Sequence, residues 1–144
     1  PKSGDFCVDL GGSPGVKAWV INNLSAEVLS IDRSPLSPSV ANLAGVSFQK
    51  RAAFTLLPEE FENRRIDWLF CDVICYPEKL YDWILKWVES GICKNIICTI
   101  KFKGESDLSI ANKFAAIPGS RVRHLFHNKN ELTWLKVRDF SDYH

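Results

Sequence analysis

Apolar and polar positions follow two rhythms along this chain. Short, dense apolar runs predict buried strands, and the stretches between them carry apolar residues at helical spacing. Phe6–Leu10 reads as a first strand, and Gly15–Asn23 as a helix that opens after a glycine loop. Glu27–Ile31 (EVLSI) is a second strand closed by Asp32, and the Pro-punctuated Ser34–Leu43 is at most briefly helical. Val46–Gln49 is a short third strand. Pro58–Phe61 looks like the first turn of a short helix, with Pro at a tolerated N-terminal position. Ile66–Cys71 (IDWLFC) forms a fourth strand ending at Asp72. Pro77–Ser90 spaces Leu80, Trp83, Ile84, Trp87 and Val88 as one helical face, stopped by Gly91. Lys94–Ile100 (KNIICTI) is a fifth strand running into Lys101, and Ser106–Ala116 a helix with Ser106 as its cap. Arg121–Phe126 and Leu132–Val137 are two final strands around the turn-rich His127–Asn130.

Alternating strands and helices imply βαβ units and a mostly parallel sheet. The last two strands are too close for a crossover helix and must form an antiparallel hairpin. The predicted class is therefore α/β, Rossmann-like: a doubly wound, mostly parallel seven-stranded sheet with an antiparallel last strand.

Composition narrows this picture without redirecting it. The 144 residues fit one domain, and 46% apolar with 24% charged is ordinary for a soluble globular chain. No apolar run is long enough to span a bilayer. A net charge of +1 means that a polyanion-binding face must come from clustered cations, not from overall excess. Cys7, Cys71, Cys75, Cys93 and Cys98 form no CxxC pair and mostly sit in apolar runs, which predicts reduced thiols in a cytoplasmic protein. The chain contains no Met and starts just before its first strand. It is therefore expected to be a piece of a longer protein, or to start after processing.

The stretch "CVDLGGSPG" runs from the first strand into Gly11, Gly12, Ser13, Pro14 and Gly15. In a doubly wound sheet, ligands bind beyond the carboxyl ends of the strands. Glycines there permit positive φ and close approach to the backbone. A dinucleotide loop would be G-x-G-x-x-G, offering N–H groups to a pyrophosphate. Here Pro14 lacks an N–H, and Asp9 brings a carboxylate that suits a cation better than a phosphate. Asp32, ending the second strand, stands where an acid can hold two ribose hydroxyls. These features favour S-adenosylmethionine over NAD as the ligand of Asp9, the 11–15 loop, Asp32 and Asp72.

Asp72, Lys101 and Glu131 lie at the ends of three core strands and are expected to converge over one cleft. The segments "VDLGGSPG", "SIDRSPL", "FCDVICYPEKL", "WVESGICKNIICTIKF" and "HLFHNKNELTWLKVR" occur in an order that resembles the FtsJ-type RNA ribose 2′-O-methyltransferases. The likeness is greatest to the catalytic domain of the RlmM family, which methylates a cytidine of large-subunit ribosomal RNA. That resemblance implies a Lys-Asp-Lys-Glu tetrad, its last three members being Asp72, Lys101 and Glu131. The first lysine, on a helix preceding the first strand in the family, has no counterpart here, and neither has the family's upstream RNA-binding region. Lys101 is expected to act as the base toward a ribose hydroxyl, oriented by Asp72 and Glu131. Burial and a second cation would lower the proton affinity of such a lysine, while the two acids raise it.

The chain departs from the family pattern at three places. Val16-Lys17 stands where Gly-Trp is usual, Ala52 where an acid lies near the adenine, and Phe102-Lys103 where Leu-Pro is common. Lys17, Arg33, Lys50, Arg51 and Lys103, with Lys129 behind them, are the cations expected to meet RNA phosphates. No metal site is expected. Trp83 and Trp87 are read as packing, not as a platform for bases. A non-catalytic cofactor- or RNA-binding module is the competing class, and a nucleotide-dependent oxidoreductase is disfavoured by Pro14 and the antiparallel last strand.

Overall fold

A computed structural model of the chain describes residues 1–102, 109–125 and 130–138. Its strands are β1 (Phe6–Leu10), β2 (Glu27–Asp32), β3 (Val46–Lys50), β4 (Ile66–Cys71), β5 (Cys93–Lys101), β6 (Ser120–Arg123) and β7 (Glu131–Lys136). Helices α1 (Val16–Asn23), α2 (Pro38–Ala41), α3 (Pro77–Ser90) and α4 (Ser109–Ala115) fall between them. The sheet has seven strands in the order β3-β2-β1-β4-β5-β7-β6. β1 pairs in parallel with both β2 and β4, so the winding direction reverses between β1 and β4. That switch point opens a crevice outside the carboxyl ends of these two strands.

β7 inserts between β5 and β6 and runs antiparallel to both, as the short connection requires. Its register sets Glu131 directly opposite Lys101. Ser106, the expected cap of α4, and the turn residues 127–129 lie outside the described residues.

The two faces of the sheet carry separate cores. Val8, Leu10, Leu69 and Ile100 pack with Leu80, Trp83, Ile84 and Trp87 of α3 and Phe114 of α4. On the other face Cys7, Val28 and Trp68 meet Ala18 and Ile21 of α1 and Val40 of α2. Each large side chain buried this fully contributes about 1.5–3 kcal/mol of transfer free energy. The α3 stripe forms as its spacing predicts, with Pro77 in the first turn and Gly91 left-handed at φ 66° at the end. Trp83 and Trp87 are buried against each other and against Phe54 and Phe61, so they are packing residues. Trp134 is fully buried and donates its indole N–H to the Phe114 carbonyl at 3.0 Å.

Pro58–Phe61 is a 3-10 turn, not the start of an α-helix, and a second such turn at Ala53–Thr55 has no counterpart in the apolar pattern. The Glu60 carboxylate accepts the Leu57 N–H at 2.8 Å and closes the later turn. No disulfide joins any of the five cysteines. Burial pushes Cys7 and Cys93 up to about 12, which keeps them protonated and inert.

Candidate active site

The sequence brings four strand ends to the crevice, and backbone hydrogen bonds hold three of them in register to the last residue. Gly11 donates its N–H to the Ile31 carbonyl at 2.9 Å, and Asp72 donates to Leu10 at 3.0 Å. Beyond these bonds lies a cleft of about 840 Å³, within the range that holds small molecules. Gly11, Ser13, Asp32, Arg33, Asp72 and Lys101 are on its wall, together with Ala52 and Phe54 from the segment after β3.

Asp32 is the organiser of the glycine loop. One carboxylate oxygen accepts the Ser13 N–H at 3.0 Å and the other the Ser34 N–H at 2.9 Å. The Ser13 hydroxyl donates to the Pro35 carbonyl at 2.9 Å, and the Pro14 carbonyl accepts the Ser37 N–H at 2.9 Å. The Ser13–Pro14 peptide is cis.

The glycines serve packing against the protein as much as room for a ligand. A Cβ on Gly11 would stand 2.4 Å from the Asp72 carbonyl oxygen, at a residue already at φ 76°. One on Gly12 would stand 2.4 Å from Ser30 Oγ and 2.5 Å from Asp9 Oδ2. Gly15, at φ 121°, has Val40 against it, 2.9 Å from where a Cβ would sit.

Asp9 differs from its expected role. It is fully buried behind Gly12, off the cleft wall, and the Lys17 ammonium sits 2.9 Å from its Oδ1. Burial pushes its carboxyl above the ordinary carboxylate range, and Lys17 is the main group opposing that shift. Lys17 is therefore paired with a buried acid while 37% of its side chain stays exposed. Arg51 is similarly spoken for. Its guanidinium donates to both Glu60 oxygens, at 2.9 and 3.3 Å, and to the Thr55 carbonyl at 2.7 Å. That pairing holds the Glu60 carboxyl below its usual range. Arg33 is exposed at the cleft and Lys50 exposed at the end of β3. Lys103 and Lys129 lie outside the described residues.

Lys101 is the convergence point. Its Nζ is 2.8 Å from Asp72 Oδ1 and 3.9 Å from Glu131 Oε1, with only 21% of the side chain exposed. β4 delivers Asp72 by ending one residue before it, and β7 delivers Glu131 through its register with β5. A lysine Nζ held between two acids on a cleft wall has a fixed direction, which is what a positioned proton-transfer group needs.

The apolar pattern missed the wall contributed by Phe54, Val73, Ile74, Cys75 and Lys79. Their position after β3 and β4, at strand carboxyl ends, is the signal that marks them. Lys79 Nζ lies 5.3 Å from the Phe54 ring centroid, a cation–π contact across the cleft.

No family model matches the chain. It is 30% identical over 142 residues to the ribosomal RNA large subunit methyltransferase M of Thauera aminoaromatica, covering 92% of this chain and 38% of that protein. The chain is similar to these methyltransferases over nearly its whole length. It spans less than half the length of the relatives it matches. Human methyltransferase-like protein 13, solved in complex with SAH, superposes with a TM-score of 0.67 at 14% identity, over 96% of this chain and 73% of that one. Fibrillarin of Aeropyrum pernix, solved with bound S-adenosyl-L-methionine, gives 0.63 at 14% identity, over 94% and 67%. The fold is thus the Rossmann-like fold that the strand pattern predicts, shared with these two structures.

Among the described residues no helix is long and apolar enough to cross a membrane, and no three His, Cys, Asp or Glu side chains are grouped to hold a metal.

Proposed function

We propose that this chain is the catalytic domain of a methyltransferase acting on a ribose 2′-hydroxyl of RNA, with large-subunit ribosomal RNA as the substrate class. S-adenosylmethionine is the methyl donor, and the cytoplasm the compartment. The observation that carries the proposal is the Lys101 amine, 2.8 Å from Asp72 and 3.9 Å from Glu131, on the wall shared with the glycine loop and Asp32.

The cleft chemistry suits the donor. Asp32 would hold the ribose hydroxyls, beside the small, apolar Ala52 and Ala53. Asp72 puts a carboxylate on the wall, where it complements a cationic centre, and the exposed Arg33 and Lys79 suit a carboxylate. Bound there, S-adenosylmethionine supplies a methyl group on a positively charged sulfur.

A ribose hydroxyl is a very weak acid, so it must lose its proton as its oxygen takes the methyl group and the donor's sulfur–methyl bond breaks to leave a neutral thioether. Lys101, as the neutral amine, takes that proton onto Nζ, and Asp72 and Glu131 aim the lone pair. Orientation supplies much of the rate, because both acids fix the amine before substrate arrives. A lysine from outside these residues would complete the tetrad of the resemblance. Transfer of labelled methyl to ribosomal RNA, with nuclease digestion to locate the label on a 2′-oxygen, tests the reaction. Lys101→Ala should lower the rate by about a hundredfold to ten-thousandfold while retaining donor binding. Unchanged methylation by that variant would remove Lys101 from the role.

A second reading is a binding module that has kept the fold without turnover. Lys17 bound to Asp9 and Ala52 on the cleft wall favour it, because both replace residues the family places near the donor. Donor binding without methyl transfer by the full-length protein would decide for it.

A further inference from the structure

Lys17 and Arg51 each already hold an ion pair, so further contacts for RNA are sought elsewhere around the cleft. The segment between β4 and α3 stands out. Ile74 and Tyr76 are each 67% exposed and lie two residues apart. Both belong to the same short connection as Asp72, and Ile74, Cys75 and Lys79 of this region line the cleft. The backbone of Tyr76 is fixed: its carbonyl accepts the N–H groups of Lys79 and Leu80 at 3.1 and 3.2 Å, and Pro77 follows it in the first turn of α3. The phenol is therefore an exposed ring on a rigid base, at the mouth of a cleft whose wall carries Arg33, Lys79 and Lys101.

We infer that Ile74 and Tyr76 form a stacking shelf for an unpaired base of single-stranded RNA, next to the ribose that reaches Lys101. This deepens the methyltransferase reading and rests on it for the position of the ribose. The chemistry is that of single-strand recognition, in which an aromatic face takes a base while nearby cations take the backbone. A base seated there leaves its duplex, which exposes the ribose hydroxyl to the cleft. The cations at the mouth favour a polyanion over an apolar protein segment as the occupant of this patch.

The test uses the natural full-length protein, a fluorescent single-stranded fragment of its ribosomal RNA substrate, and the same fragment annealed to a complement. Stacking on an aromatic side chain is worth about 1–3 kcal/mol, so Tyr76→Ala should weaken single-strand binding and raise the RNA KM about tenfold to hundredfold. Tyr76→Phe should stay within about threefold of the parent, because the ring face and not the hydroxyl does the stacking. Affinity for S-adenosylmethionine should not move in either variant. Unchanged RNA binding in Tyr76→Ala, equal loss in Tyr76→Phe, or a parent preference for the duplex would each overturn the shelf. A parent that binds single strands through Tyr76 yet transfers no methyl group would overturn the methyltransferase reading and leave the shelf standing.

Discussion

Removing the Lys17 charge is the sharpest perturbation of the glycine loop. Asp9 is fully buried, and the Lys17 ammonium lies 2.9 Å from it with 37% of the lysine side chain exposed. Lys17→Met keeps the alkyl stem and deletes the cation. Breaking a buried ion pair costs about 3–5 kcal/mol and an exposed one about 0–1, so this half-exposed lysine should cost about 2–3 kcal/mol at pH 7.5. A ceiling follows from proton uptake. Burial already raises the proton affinity of Asp9, and in Lys17→Met its chief opponent is gone. Proton uptake by the carboxyl caps the loss, because from an ordinary value near 3.9 it costs about 1.4 kcal/mol per pH unit, or about 4 kcal/mol at pH 7.

The sign of the pH dependence follows from the same imbalance. The folded variant binds a proton more tightly than its unfolded chain. Its stability is therefore fully present below about pH 4 and is lost as pH rises toward the folded value. Urea denaturation at pH 5 and pH 7.5 should show the gap between parent and Lys17→Met narrowing in acid, to about 1.5 kcal/mol or less. Adding Asp9→Asn to Lys17→Met should cost less than the sum of the two single changes, because the second removes the charge that the first strands. A Lys17→Met loss under about 0.5 kcal/mol, or one equal at both pH values, would refute a buried, lysine-dependent carboxylate.

Gly12→Ala should destabilise the protein by about 1–3 kcal/mol, read as a lower denaturation midpoint, because its Cβ lands on Ser30 and Asp9 of adjacent core strands. Asp32→Ala removes the acceptor for both the Ser13 and Ser34 N–H groups and should weaken S-adenosylmethionine binding about a hundredfold by calorimetry.

Much of this protein was legible without coordinates. Strand and helix positions follow from periodicity, because a buried face imposes its repeat locally on whichever element carries it. The endings at Asp32, Asp72 and Lys101 follow with them, and the winding rules then put those residues at one rim of the sheet. The Ala53–Thr55 turn escaped because three residues leave no period to read.

Tertiary structure decided the register behind the expected convergence and the partners of the other cations. Placing Glu131 beside Lys101 needs β7 inserted next to β5, a long-range pairing in which any one-residue slip reverses every side chain. Lys17 and Arg51 read as free cations in the sequence, since a long side chain on a loop or helix start carries no local mark of what it will reach. In the fold, a buried Asp9 and a nearby Glu60 capture them. The glycines of the 11–15 loop likewise announced close approach, but only the packing showed that Asp72, Ser30, Asp9 and Val40 are what they approach. Local chemistry fixes which conformations a segment can adopt; which atoms then meet depends on contacts between residues far apart in the chain.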